Sequence, residues 1–150
     1  ADAIYLFNYF GSPCKDWQRK VYDQFLDDAG SLDALQTRSR RHALTIIEPW
    51  VQGEPEPHRP LPYEGTRGDF RIYIGPRPVA DRKAYVEVEV ATGGRPSEVR
   101  LNDSVCPWAG REGERLLYEV PAEALSEGHN LVTVEADKEM TITWLEIAVR

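Results

Sequence analysis

Trp108 is the aromatic residue of the sequence whose neighbours favour ligand binding. It lies in the stretch 103–114, between two predicted strands, and Asn102, Asp103 and Arg111 are close to it in the chain. A sugar presents apolar C–H faces that stack on an indole ring, and its hydroxyl groups need polar side chains nearby. A tryptophan in a loop with polar neighbours is typical of a ligand surface. These four residues are the candidate carbohydrate-binding site; the alternative is that Trp108 packs under its own loop as a hydrophobic plug.

Catalytic arrangements are not visible in the sequence. His42 borders a strand, His58 lies in a proline-rich stretch and His129 lies in a Gly-His-Asn turn, and none has the nucleophile and orienting group that covalent catalysis requires. The histidines also lack zinc-ligand spacing. Carboxylate pairs such as Glu87 and Glu89 are typical of a solvated strand face. We therefore predict no catalytic residue, no metal site and no cofactor, although a structural calcium ion held by loop carbonyl oxygens would leave no sequence signature.

Composition excludes several classes of partner. The chain has 150 residues and a net charge of −7, which would repel DNA and RNA. No stretch approaches the roughly 20 apolar residues that cross a bilayer, so a membrane is not a predicted partner, and the sequence does not indicate a cellular location. The basic residues Arg38, Arg40 and Arg41 are interpreted as a solvated helix end or linker. Cys14 and Cys106 are predicted to be inert thiols.

Alternating apolar residues predict an antiparallel β-sandwich over residues 43–150. Val86, Val88 and Val90 alternate with polar neighbours that include Glu87 and Glu89, so one face should be buried and the other wet. Strands are predicted at 44–51, 69–74, 84–90, 98–102, 116–120, 132–136 and 140–149. Residues 52–68 contain four prolines and are predicted to be a connecting loop.

The first 42 residues have a different pattern. The nearly continuous apolar run 3–10 is typical of a strand buried on both faces. Ser12 and Pro13 then favour a helix start, and an apolar stripe beginning at Trp17 continues to a stop at Gly30. A second, weaker helical turn is predicted around Leu32 and Leu35.

The second part resembles galactose-binding-like jelly-roll domains. The resemblance covers about 70–150 and rests on Ser97-Glu98-Val99-Arg100-Leu101-Asn102, on Leu117-Tyr118-Glu119-Val120-Pro121, and on the stretch from Leu125 through Gly128-His129-Asn130 to Val134. Gly128 is expected to take the left-handed conformation after a short helical turn, and Asn130 to hydrogen-bond local backbone as the next strand begins. The resemblance implies a mainly β, antiparallel jelly-roll sandwich with an N-terminal strand and helix appendage.

The run 2–10 and the helix after it resemble the last strand and closing helix of a glycoside-hydrolase type (β/α)8 barrel. Seven strands of such a barrel are not in the sequence, and any active site built from several strand ends would be missing with them. Together the resemblances imply an appendage at 1–42 and a β-sandwich at 43–150, acting as a non-catalytic accessory, C-terminal domain of a glycosidase-like protein. Its expected partner is a carbohydrate, bound weakly, or a neighbouring catalytic domain; the alternative is a purely structural support module without a small ligand.

Overall fold

The computed structural model describes residues 31–44 and 61–150. The strand expected at 3–10, the helix expected after Ser12, Cys14, His58, and nearly all of the strand expected at 44–51 lie outside these residues. The weaker helical turn is confirmed as helix α1, Leu32–Thr37. Ser31 caps it, because its Oγ accepts a hydrogen bond from the Ala34 amide at 3.2 Å.

Eight strands and one 3₁₀ turn make up the rest of the described chain. The strands are β1 Arg40–Ala43, β2 Tyr63–Ile74, β3 Ala84–Thr92, β4 Glu98–Leu101, β5 Ser104–Val105, β6 Trp108–Glu112, β7 Arg115–Val120 and β8 Gly128–Val149. The 3₁₀ turn is Ala122–Ala124. All the strand pairs are antiparallel, in the order β5-β4-β8-β3-β7-β6, with β1 and β2 also paired to β8. The prediction of a mainly β, antiparallel sandwich is confirmed.

Strand β8 is the centre of the sheet. Its first part pairs with β2 on one side and with β4 on the other, for example Phe70 and Leu101 both opposite Val132. Its last part pairs with β1 and β3, so that both Arg40 and Ala84 lie opposite Val149. One 22-residue strand therefore belongs to both halves of the curled sheet.

Apolar side chains from both halves of β8 and from its neighbours form one core. Val86 and Val88 are fully buried, as their alternation predicts. They join a cluster whose largest members are Phe70, Ile72, Ile74, Leu101, Tyr118, Leu125, Met140, Ile142, Leu145 and Ile147. Burying each such side chain contributes about 1.5–3 kcal/mol to folding, so the core rather than the short helix holds the sheet together.

Four local predictions are wrong. Arg40 and Arg41 belong to β1 rather than to a solvated linker, and the Arg40 guanidinium donates to the Pro76 carbonyl oxygen. Residues 63–68 begin β2 instead of ending a loop. The stretch 137–139 continues β8 where a break between two strands was expected, and the predicted turn at 128–130 starts that strand. At β1 and at the starts of β2 and β8, pairing with a neighbouring strand outweighs local polarity.

Within residues 31–44 and 61–150, no helix has both the length and the apolar composition that crossing a bilayer requires.

Candidate functional site

Asn102 and Asp103 form the tight turn between β4 and β5. Leu101 pairs with Ser104, which leaves Asn102 at φ 48° and Asp103 at φ 69° as the two central residues. Positive φ at both positions is the geometry of the hairpin turns that match strand twist, and Asn and Asp tolerate it best after glycine. The sequence pair is therefore explained first by the turn that it makes.

The Asn102 side chain is hydrogen-bonded within the protein through both its nitrogen and its oxygen. Its Nδ2 donates to the Ala124 carbonyl oxygen and to Asn130 Oδ1, both at 2.8 Å, and its Oδ1 accepts from the Leu131 amide at 2.9 Å. Buried Asn130 completes the arrangement, because its amide group also bonds the backbone of Ser126 and Gly128. We call Asn102 and Asn130 the Asn junction; it ties the β4–β5 turn to the start of β8.

The Asn junction confirms two local predictions. Asn130 hydrogen-bonds local backbone where β8 begins, and Gly128 has a φ of 91° after the 3₁₀ turn. Both amide hydrogens of Asn102 and one lone pair of its Oδ1 are used within the protein, so these bonds account for Asn102 without a ligand.

Trp108 lies at the first position of β6 and is 43% exposed. It was expected in a loop, and that expectation is wrong because β6 pairs with β7 from Trp108 onward. Its ring system and the Tyr118 ring meet in an edge-to-face arrangement, with centroids 5.4 Å apart and planes at 72°. The Arg95 guanidinium lies over the indole, 4.7 Å from the ring centroid. We call Trp108, Tyr118 and Arg95 the Trp108 corner.

Two neighbours fix the Trp108 corner. Buried Tyr118 donates from its hydroxyl to the Pro96 carbonyl oxygen at 3.1 Å, and burial raises its pKa to about 12. Gly93 has a φ of 92°, and a Cβ there would overlap the backbone of Glu139 and Met140, so the turn before Arg95 requires glycine. The indole is therefore held by one rigid ring and one cation.

Arg95 is the site residue that sequence reasoning missed. It follows Gly93-Gly94, which was assigned simply to a turn, and the sequence holds no signal that this turn approaches Trp108. Among the residues that the structure describes, Arg95 has no carboxylate partner, and its guanidinium lies against the indole ring. A guanidinium carries five N–H donors, so this group retains capacity to bind oxygen acceptors.

The four candidate residues lie in two different hairpins, Asn102 and Asp103 in the β4–β5 turn and Trp108 and Arg111 in β6. Asp103 is exposed in the β4–β5 turn beside the Asn junction. Arg111 is exposed in β6 and donates from Nε to the Gly113 carbonyl oxygen at 2.6 Å, which closes the β6–β7 hairpin. The structure thus leaves Trp108, which is 43% exposed, as the candidate with accessible apolar surface, and its polar neighbour is Arg95.

A second group of polar residues covers the face of the sheet opposite the core. Glu87 and Glu146 lie directly opposite each other on β3 and β8, and each is 1% exposed. Arg115 Nη1 bonds Glu146 at 2.9 Å and Glu87 at 3.3 Å, while Arg41 bonds Glu146 and Arg150 bonds Glu87. We call these five residues the Glu–Arg cluster. The expectation that Glu87 faces water is wrong, because Glu87 is 1% exposed and its carboxylate is bound by Arg115 and Arg150.

The Glu–Arg cluster is internally satisfied. Burial and the facing Glu146 raise the pKa of Glu87, against the opposing effect of Arg150. A carboxyl acting on a substrate needs an open face, whereas both of these are bound by arginines. The cluster therefore anchors Arg41, Arg115 and Arg150 across β1, β3, β7 and β8.

The remaining reactive side chains add no chemistry. Cys106 is buried, and burial raises the pKa of its thiol to about 11, which leaves the less reactive protonated form at neutral pH. Burial and nearby Arg40 lower the pKa of His42. His129 is exposed and meets Tyr73 edge-on at 5.2 Å. In the described part of the chain, no group of His, Cys, Asp and Glu is arranged to hold a metal ion.

Comparison with known proteins adds no relationship, since neither a family model nor a curated protein sequence matches this chain.

Proposed function

We propose that this chain is a non-catalytic binding module, in which the Trp108 corner takes up carbohydrate weakly. The observation that carries the proposal is an indole that is 43% exposed yet held by Tyr118 and Arg95. A half-exposed, fixed aromatic ring loses little entropy on binding and offers apolar surface to a ligand.

Carbohydrate suits the Trp108 corner because the two exposed groups match the two kinds of surface on a sugar. The indole provides an apolar plane for the C–H face. The Arg95 guanidinium provides donors but no acceptor, so it favours hydroxyl or carboxylate oxygens. A uronic acid carries hydroxyl groups and a carboxylate, so it should bind more tightly than the corresponding neutral sugar.

The affinity should be low. One tryptophan and one arginine form a small surface, and Arg95 already occupies a position over the ring. A dissociation constant near 1 mM corresponds to about −4 kcal/mol, which a surface of this size can supply. Weak binding of this kind suits an accessory domain that keeps a larger, glycosidase-like protein near its substrate, as the resemblance to galactose-binding-like domains implies.

Titration of intrinsic tryptophan fluorescence tests the proposal. The full chain is titrated with galactose, mannose, glucuronate and a β-glucan oligosaccharide. We expect a saturable change with at least one sugar, strongest for glucuronate, and its loss in Trp108→Ala. Arg95→Gln should remove the preference for glucuronate but keep binding to the neutral sugar.

Trp144→Phe is the matched control, because Trp144 is half-buried beside Arg115, 5.7 Å from its guanidinium, and lies outside the Trp108 corner. This variant should retain the saturable change. The absence of any response at about 10 mM sugar, well above the expected dissociation constant, would reject carbohydrate binding.

A purely structural support module is the second candidate, and one observation favours it. Tyr73 and Leu131 are exposed at 58% and 38% on adjacent positions of the β2–β8 pair, and Val105 is exposed at 48% on β5. Exposed apolar side chains of this kind are typical of a surface that packs against another domain. Failure of every sugar in the titration would favour this candidate.

A further inference from the structure

A cleft lies where the β2–β3 connection meets the β7–β8 connection. Its volume is about 460 Å³, within the range of small-molecule sites. Residues 77–80 and 82–84 form one wall, residues 119–122 and Leu125 form the other, and Pro107 contributes a third side. We call it the proline cleft, because Pro78, Pro107 and Pro121 all line it.

The walls of the proline cleft are fixed before any ligand arrives. The Glu119 amide donates to the Pro107 carbonyl oxygen at 2.9 Å, and the Arg82 amide donates to the Val79 carbonyl oxygen at 3.0 Å. Arg77 Nη2 joins the two main walls by donating to the Ala122 carbonyl oxygen at 2.5 Å. Preformed walls reduce the entropy that binding must overcome.

The interior of the cleft is mostly apolar. Besides the prolines, Val79, Val120 and Leu125 line it, and Leu125 is 3% exposed. These side chains can cover a compact ring or branched aliphatic group, but they offer no partner for several hydroxyl groups. The cleft is therefore poorly suited to a sugar, which separates it from the Trp108 corner.

The charge at the rim of the cleft is positive. Three cationic residues line the cleft, Arg77, Arg82 and Lys83. The one carboxylate among the lining residues is that of Glu119, whose Oε1 is 2.8 Å from Lys83 Nζ. The charges of Lys83 and Glu119 neutralise each other, and the Arg77 guanidinium donates to the Ala122 carbonyl oxygen. Within residues 31–44 and 61–150, no hydrogen bond or ion pair occupies the Arg82 side chain. Among the described residues, Arg82 is thus the rim cation whose side chain has neither a carboxylate nor a backbone partner.

We propose that the proline cleft binds a small organic acid, with a compact apolar body against the valine and proline walls and its carboxylate on Arg82. A carboxylate matches the planar, two-donor geometry of a guanidinium. The net positive charge of the rim disfavours a cationic ligand. This inference is independent of carbohydrate binding at the Trp108 corner.

Titration of the uniformly ¹⁵N-labelled full chain with benzoate, followed by amide NMR, tests this inference. We expect saturable shifts at Val79, Arg82 and Ala122. Benzamide has the same ring without the charge, and it should bind about tenfold more weakly, since a charged hydrogen bond contributes that much. Equal affinity for benzamide, or no saturable shift with benzoate, would overturn the proposal.

Two variants locate the carboxylate. Arg82→Gln should weaken benzoate binding about tenfold and leave benzamide binding unchanged. Arg71→Gln, at an exposed arginine of β2 outside the cleft, is the matched control and should bind benzoate like the wild type. Equal losses in both variants would indicate a non-specific charge effect and reject the site. Trp108→Ala should keep benzoate binding, so failure of one proposal is distinguishable from failure of the other.

Discussion

The Asn junction and the Trp108 corner differ in what their side chains have left to bind. Asn102 and Trp108 come from the same short stretch of sequence, and each has polar neighbours. In the Asn junction both amide hydrogens and the Oδ1 of Asn102 are hydrogen-bonded within the protein. In the Trp108 corner the indole keeps a large exposed fraction and Arg95 keeps its donors. Polar residue type alone therefore does not identify a binding site; unused bonding capacity does.

The largest effect should come from breaking the Asn junction. Asn130 is 1% exposed and its side chain makes four hydrogen bonds. Asn130→Ala removes four hydrogen bonds, leaves their partly buried partners unsatisfied, and should lower the free energy of unfolding by about 2–4 kcal/mol, measured by urea denaturation. Asn102→Gly, which retains the favourable backbone conformation of the turn, should cost less. A loss below about 1 kcal/mol for Asn130→Ala would contradict a structural role, since one net hydrogen bond contributes that much.

The charged groups of the Glu–Arg cluster should make the stability of the protein depend on pH. Burial raises the pKa of Glu87 in the folded state. The folded protein then binds this proton more tightly than the unfolded chain, so the contribution is full below the unfolded pKa of about 4.3 and is lost as pH rises through the folded pKa. The stability of the wild type relative to Glu87→Gln should therefore fall as pH rises above about 4.3, by at most about 1.4 kcal/mol per pH unit.

Urea denaturation between pH 4 and 8 measures this difference. Glu89→Gln is the control, because Glu89 also binds Arg115, at 3.1 Å, but leaves Glu87 in place. It should retain the pH dependence that Glu87 supplies. A difference between wild type and Glu87→Gln that stays constant or grows with pH would show that the arginines, rather than burial, dominate at Glu87.

The smallest effect on stability should come from the Trp108 corner. Trp108→Ala removes an edge contact with Tyr118 and a partly solvated ring, and should cost about 0.5–1.5 kcal/mol in the same denaturation experiment. A buried tryptophan would cost about 3–5 kcal/mol. A loss in that higher range would identify Trp108 as the hydrophobic plug of the structural alternative and weaken the case for a binding face.

Strands with regular alternation were predictable from the sequence. Val86 and Val88 enter the core, and Leu145 and Ile147 share a buried face while Trp144 lies on the other, as their spacing indicates. Period-two patterns report burial directly, because successive side chains point to opposite faces. The Gly128 and Asn130 contributions to the start of β8 were also predictable, since both depend on local backbone conformation.

Features that depend on distant contacts were not predictable. Arg95 and Trp108 meet because the turn at Gly93 packs against β8, which no local pattern indicates. The sequence predicts that Glu87 faces solvent, yet Arg115 of β7 and Arg150, which follows β8, bind its carboxylate. Arg40 and Arg41 join the sheet only because Val149 and Ala148 offer an open edge. In each case the environment is created by residues far away in sequence.

The position of β8 has a consequence for how the protein is made. Strands β1 to β4 all pair with residues 128–149. The partner of Arg40 is Val149, which is synthesised more than 100 residues later. During synthesis these four strands leave the ribosome with their main pairing edges open, and at about 5–20 residues per second the wait lasts several seconds. The nascent chain is therefore exposed to edge-to-edge association until β8 emerges, and a chaperone that shields early strands should raise the yield of folded protein.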